Sequence, residues 1–234
     1  MTGTLINTAS IIAGSLLGLL LRKVIPKNLD KPIIVAEGIA VIMIGLNGMI
    51  TRMIKVSEDG SLESQGELLL LISLVIGTVI GELLNVDGAV NRLGSGLEKK
   101  LGKEGVAAGF VNASLVFCIG ALSIMGPVSE RLDGDMTLLL EKSVLDGVSA
   151  IILTVGLGIG VMLSSVSVFV IQGIVALFAQ AFAGVSSQAM SDFFMVGFAI
   201  VMAIGINFAA GTKIKTANLI PSLLVPVAYH LIFA

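Results

Sequence analysis

The chain has 234 residues, of which 56% are hydrophobic and 13% charged, and its mean hydropathy is +1.05. A soluble domain carries about 25% charged residues, so this composition is that of an integral membrane protein. A net charge of −2 without a basic run excludes a nucleic-acid partner, and one Cys with one His excludes an internal disulfide and a Cys/His metal site, so no cofactor is expected.

Taken in order, Thr4 to Leu21 is a first apolar span closed by Arg22-Lys23. With no basic stretch before it and no evident cleavage site, it reads as a span and not as a removed signal. Ile33 to Ile50 is a second span with Glu37 near its start, and Thr51 to Ser64 an exposed acidic loop. Leu68 to Leu84 is the third. From Asp87 to Lys103, Val90, Leu93, Leu97 and Leu101 recur at helical spacing opposite charged residues, which predicts an amphipathic helix in the interface plane.

Val106 to Met125 is the fourth span, ended by Gly126-Pro127 and followed by a loop from Val128 to Asp135. Thr137 to Leu163 is the fifth, with a weak break at Ser164-Ser165 before a sixth from Val166 to Phe182. The seventh runs from Phe193 to Ala210. The eighth, Ala217 to Phe233, contains Pro221 and Pro226 and should be kinked or broken. The fold class is therefore an all-α polytopic bundle of about eight spans. Loops after spans 1, 3 and 7 hold ten Lys and Arg residues against Arg52, Lys55 and Arg131 on the other side, which places both termini outside the cytoplasm.

Two echoes run through the chain. Asn7-Thr8-Ala9-Ser10 resembles Asn112-Ala113-Ser114, and an acid followed by Gly comes later in each case, Glu37-Gly38 and Asp146-Gly147. The offset is three spans, so residues 1–86 and 105–183 form an inverted repeat, with 87–104 the interfacial helix and 191–234 a C-terminal pair, all within one membrane domain. A second echo pairs Gly38 to Asn47 with Gly197 to Asn207.

Polar groups inside apolar spans mark the candidate site, because an ionised side chain at mid-membrane costs roughly 2.5 to 3.5 kcal/mol and faces the bundle interior or water. Lys142 and Asp146 lie four apart on one helical face with Ser143 beside them. Glu37, Asn7, Asn112, Asn207, Gln172 and Asn218 complete the set of substrate- or ion-binding candidates, and His230 reads as interfacial. Gly156-x-Gly158-x-Gly160 lacks a strand-turn-helix context, so it reads as close helix packing and not as a nucleotide loop.

The chain resembles a prokaryotic inner-membrane family of the YqgA and YdfK type, of unknown function. The resemblance rests on Gly3-Thr4 and Asn7, the segment from Ala113 to Gly120, Lys142-Ser143-Val144-Leu145-Asp146-Gly147, Gln172-Gly173, Gly205-Ile206-Asn207 and Asn218-Leu219-Ile220-Pro221. Ala121 stands where that family pattern has Pro after Gly120, which argues against a helix break there. It implies a polytopic membrane protein with transport as the expected activity. The residues give the same expectation: a secondary transporter of a small polar or anionic solute, coupled to H+ or Na+ through intramembrane carboxylates. Its partners would be the solute, the bilayer and a second copy packed through Gly-rich faces. A channel or a regulatory membrane subunit are the alternatives. No hydrolytic or nucleotide motif points to an enzyme.

Overall fold

The computed structural model describes residues 1–57, 59–89, 92, 96, 105–118, 121–180 and 186–233. It is an all-α membrane protein. The helices are α1 (Thr2–Val24), α2 (Asp30–Met53), α3 (Glu67–Leu84), α4 (Val106–Cys118), α5 (Ala121–Asp133), α6 (Thr137–Leu157), α7 (Gly160–Leu177) and α8 (Ser187–Ala210), then a 3-10 segment (Thr216–Leu223) and α9 (Leu224–Phe233). Among the described residues six helical stretches are long and apolar enough to cross a membrane, and α4 with α5, bent by 57°, makes a seventh if it is one span. Helix α6 is long enough at 21 residues, about 31 Å at 1.5 Å per residue, but carries Glu141, Lys142 and Asp146. Large apolar side chains stand outward, Leu20 at 58% and Leu83 at 81% exposure, as hydrocarbon contact requires.

Several boundaries differ from those expected. Gly126-Pro127 does not end a helix, because α5 continues through Pro127 to Asp133. Val128 is buried in the core, and Gly126 lies against Leu139 so closely that a Cβ would clash, so packing holds a turn that propensity disfavours. The break between the fifth and sixth spans lies at Gly158, φ 76°, and not at Ser164-Ser165. Both of those serines donate back to their own helix, to Val161 O and Met162 O, and stay helical. The step from Gly120 to Ala121 lies partly outside the described residues, and the helices on either side of it, α4 and α5, are bent by 57°. The loop after α2 contains a small exposed hairpin, Ile54–Val56 with Leu62–Ser64, whose turn is closed by Asp59 accepting from Ser61. The interfacial helix expected over 87–104 lies mostly outside the described residues. The break expected in the last span is present, as the 3-10 segment before α9.

The residues form two compact units, Met1–Glu37 with Asn91–Gly184, and Gly38–Val90 with Val185–Ala234. In the first, α1 runs parallel to α6: Gly3 meets Leu139, Ser10 donates to Ser143 O, Gly14 abuts Gly147 and Gly18 abuts Ile151. Helices in lipid gain nothing from excluding lipid tails, so they associate where small residues let the backbones close. A Cβ on Gly18 would sit 2.5 Å from Ile151 O. The start of α6 is fixed by Asp135, which accepts from Thr137 N at 2.9 Å and Thr137 Oγ1 at 2.7 Å. The Thr137 hydroxyl and amide hold that carboxyl below its usual range.

In the second unit α2 runs antiparallel to α8, with Gly38 on Ala209, Gly45 on Met202 and Gly48 on Phe198. The crossing is reciprocal: Gly45 meets Met202 while Gly205 meets Ile42. The 3-10 segment packs on α3, where Gly77 meets Ser222 and Gly81 meets Asn218.

Gly14→Ala should overpack the α1 to α6 contact and cost about 1–3 kcal/mol, read as a lowered melting temperature in detergent. Leu17→Ala, at an outward position, should change stability by less than about 0.5 kcal/mol.

Candidate functional site

Lys142 and Asp146 face the interior of the first unit, their side chains 8% and 9% exposed. The ammonium lies 2.8 Å from Asp146 Oδ2 and donates to Oδ1 at 3.0 Å. It also donates to the carbonyl of Phe117 at 2.9 Å. The same carbonyl, near the last described residue of α4, also accepts from the Ser123 hydroxyl of α5 at 2.8 Å. The end of α4 thus supplies an oxygen to the ammonium. Asn7 Nδ2 donates to Asp146 Oδ2 at 3.0 Å, which ties α1 to the same carboxylate. The opposite oxygen of that amide, Asn7 Oδ1, is buried with no hydrogen-bond partner among the described residues, as is Thr4 Oγ1 one turn earlier.

Three of the expected residues therefore meet: Asn7, Lys142 and Asp146. Ser143 serves structurally, its hydroxyl donating to Leu139 O at 2.6 Å and its carbonyl accepting from Ser10. Gln172, on α7, is 1% exposed, and neither atom of its amide has a partner among the described residues. Asn112 is half-buried on α4. Glu37 is 4% exposed, and its carboxylate lies against the main chain of Gly156, in the space a Cβ there would need.

Asn207 and Asn218 belong to the second unit. Asn207 clamps the loop after α8, donating to Ile214 O and accepting from Ile214 N and Thr212 Oγ1, each at 2.8 Å. Asn218 accepts from the amide of Asp87 at 2.7 Å. In the same unit His230 lies 2.8 Å from Asp192 Oδ2, and Gln188 donates to Asp192 Oδ1 at 3.1 Å. This buried acid-imidazole pair was undervalued in the sequence because its members are 38 residues apart. The Phe117 carbonyl was also missed, since a main-chain acceptor has no residue signature.

The model of the family described as "Protein of unknown function (DUF554)" matches residues 2–231. The chain belongs to this family. It is 35% identical over 227 residues to the "Uncharacterized membrane protein YdfK" of Bacillus subtilis (strain 168), covering 97% of this chain and 94% of the relative. It is 26% identical over 231 residues to the "Uncharacterized protein YqgA" of Escherichia coli (strain K12), covering 95% and 93%. No solved structure matches the chain.

Removing one member of a buried ion pair strands the other charge. Asp146→Asn and Lys142→Met should each destabilise by about 3–5 kcal/mol. The double variant should cost clearly less than the two added together, as measured by denaturation in detergent and a double-mutant cycle.

Proposed function

We propose that this protein is a secondary transporter of a small polar or anionic solute, coupled to a proton or a cation through its intramembrane carboxylates. The observation that carries the reading is the Asn7, Lys142 and Asp146 cluster, three polar side chains buried in a helical unit whose outer surface is apolar. Intramembrane charge is costly, and where it occurs it marks solute and ion pathways. Asp146 is held by a Lys and an Asn with an unpartnered oxygen, so the network can exchange a partner without stranding every member. Glu37 is a second buried carboxylate, against the main chain of Gly156.

The eight-span inverted arrangement fits the direction of the helices. Helix α1 and helix α6 run parallel, which requires an odd number of crossings between them; α2, α3 and the bent α4 to α5 pair supply three. The 57° bend between α4 and α5, beside Lys142, is the kind of interruption that transporters use to expose main-chain groups to a solute. The reciprocal glycine contacts of α2 and α8 support a two-fold relation between antiparallel elements. We place the protein in the prokaryotic cell membrane with both termini outside, from the Lys and Arg distribution.

In proteoliposomes, Asp146→Asn should abolish solute accumulation driven by a proton or sodium gradient while leaving the protein folded; intact gradient-driven uptake in that variant would overturn the mechanism. Fusions of alkaline phosphatase at the C-terminus should be active and the matching fluorescent-protein fusions dark; the reverse pattern would invert the topology.

A further inference from the structure

At the end of the second unit that carries the hairpin, three helices enclose a cavity of about 660 Å³. One wall is the entry to α3; the others are the start of α8, with Gln188 and Asp192, and α9, with Tyr229 and His230. All of these residues belong to the one unit. Gly66, at φ 82°, turns the chain into α3 beside Asp192, so that a Cβ at Gly66 would stand 3.9 Å from Asp192 Oδ1. The volume falls within the range of small-molecule sites, roughly 300–1,000 Å³.

Apart from the Tyr229 hydroxyl, each side-chain donor group on this wall donates to a protein acceptor. Asp192 is 4% exposed, and a carboxylate accepts, so His230 Nε2 donates to its Oδ2 at 2.8 Å and Gln188 Nε2 to its Oδ1 at 3.1 Å. Ser64 donates its hydroxyl to Glu67, and Gln65 Nε2 donates to the carbonyl of Arg52 at 3.4 Å. These bonds leave lone pairs. With Nε2 as the donor, the neutral ring of His230 has its acceptor at Nδ1, and Gln188 has its amide oxygen. No described residue donates to either atom.

The charge of the wall points the same way. It holds two carboxylates, Glu67 and Asp192, and no Lys or Arg. Arg52, at the end of α2, donates to Gly48 O and lies over the rings of Phe194 and Phe198, outside the lining. Most of the remaining wall is apolar, with Leu68, Leu69, Ile72 and Val225. An anion here would meet two carboxylates, and a plain hydrocarbon would leave the acceptors without donors. A phospholipid headgroup would bring a phosphate within a few bonds of any ammonium, with no Lys or Arg on the wall to receive it. We propose that this cavity binds a small alkylammonium, its N–H groups shared among His230, Gln188 and the carboxylates of Asp192 and Glu67, its hydrocarbon against Leu68, Ile72 and Val225. The site shares no residue with the Asn7, Lys142 and Asp146 cluster and stands whether or not the chain is a transporter.

The test is calorimetric titration of the full chain, held in phosphatidylcholine nanodiscs in mildly alkaline buffer, with n-butylammonium, n-butanol, butyrate and n-butyltrimethylammonium. Butylammonium should bind at least about tenfold more tightly than butanol or butyrate, the equivalent of one charged hydrogen bond. The trimethylated cation keeps the charge but has no N–H, and should fall short by a similar factor. No binding of butylammonium, or no preference for it over butanol and butyrate, would overturn the site without recourse to variants. Equal affinity for the trimethylated cation would overturn the hydrogen-bonding assignment. Glu67→Gln, at an exposed position, should weaken butylammonium about two- to fivefold, and Asp192→Asn at least about tenfold. Unchanged affinity in both variants, in protein that remains monodisperse, would also overturn the site. Loss of butylammonium binding when phosphatidylethanolamine replaces phosphatidylcholine would assign the cavity to a lipid headgroup and sink the small-amine reading.

Discussion

A charge inside a hydrocarbon layer must be neutralised by protein, and the first unit is built around that requirement. The Lys142 ammonium and the Asp146 carboxylate meet on one face of α6, but a bare pair would leave donors and lone pairs empty. The remaining bonds come from two other helices. Helix α4 brings the Phe117 carbonyl to the ammonium, and α1 brings the Asn7 amide to the carboxylate. Each contribution needs a backbone arrangement of its own: a broken span in one case, and in the other a close parallel packing that only Gly14, Gly18 and Gly147 permit.

Each unit answers some of its buried polar groups and leaves others open. In the second, the buried Asp192 is engaged by His230 and Gln188, Arg52 donates to Gly48 O and lies over the rings of Phe194 and Phe198, and Asn207 is bonded at both ends of its amide. In the first, the Gln172 amide is buried without a partner among the described residues, as are Ser73 Oγ and Ser222 Oγ in the second. Glycine contributes in two ways here. Within α1 it brings helices together, whereas at 156 and 158 it clears space for a carboxylate and a guanidinium at the helix break.

Membrane character, the existence of nearly every span, the break in the last one and the pairing of Lys142 with Asp146 were all legible in the amino-acid order. Length, apolarity and a spacing of four residues are local quantities, and lipid enforces helix wherever a chain is long and apolar enough. The participation of Asn7 in that cluster could be suspected from its position in span 1, but its bond to Asp146 spans 139 residues of sequence.

What the tertiary structure decided is where helices stop and which polar groups find one another. Pro127 and Gly126 look like a terminus, yet packing of Val128 and Leu139 carries α5 through them. Ser164 and Ser165 look like a weak break, yet their hydroxyls satisfy the helix that contains them and the turn falls at Gly158. The partners of Asp192 and the carbonyl that receives Lys142 join residues remote in the chain, and no local pattern encodes them. Sequence by itself determined which segments enter the membrane, because transfer from water is a sum over neighbouring residues. Only the packed structure decided which buried charges are answered and which are left open, because that depends on the approach of separate helices.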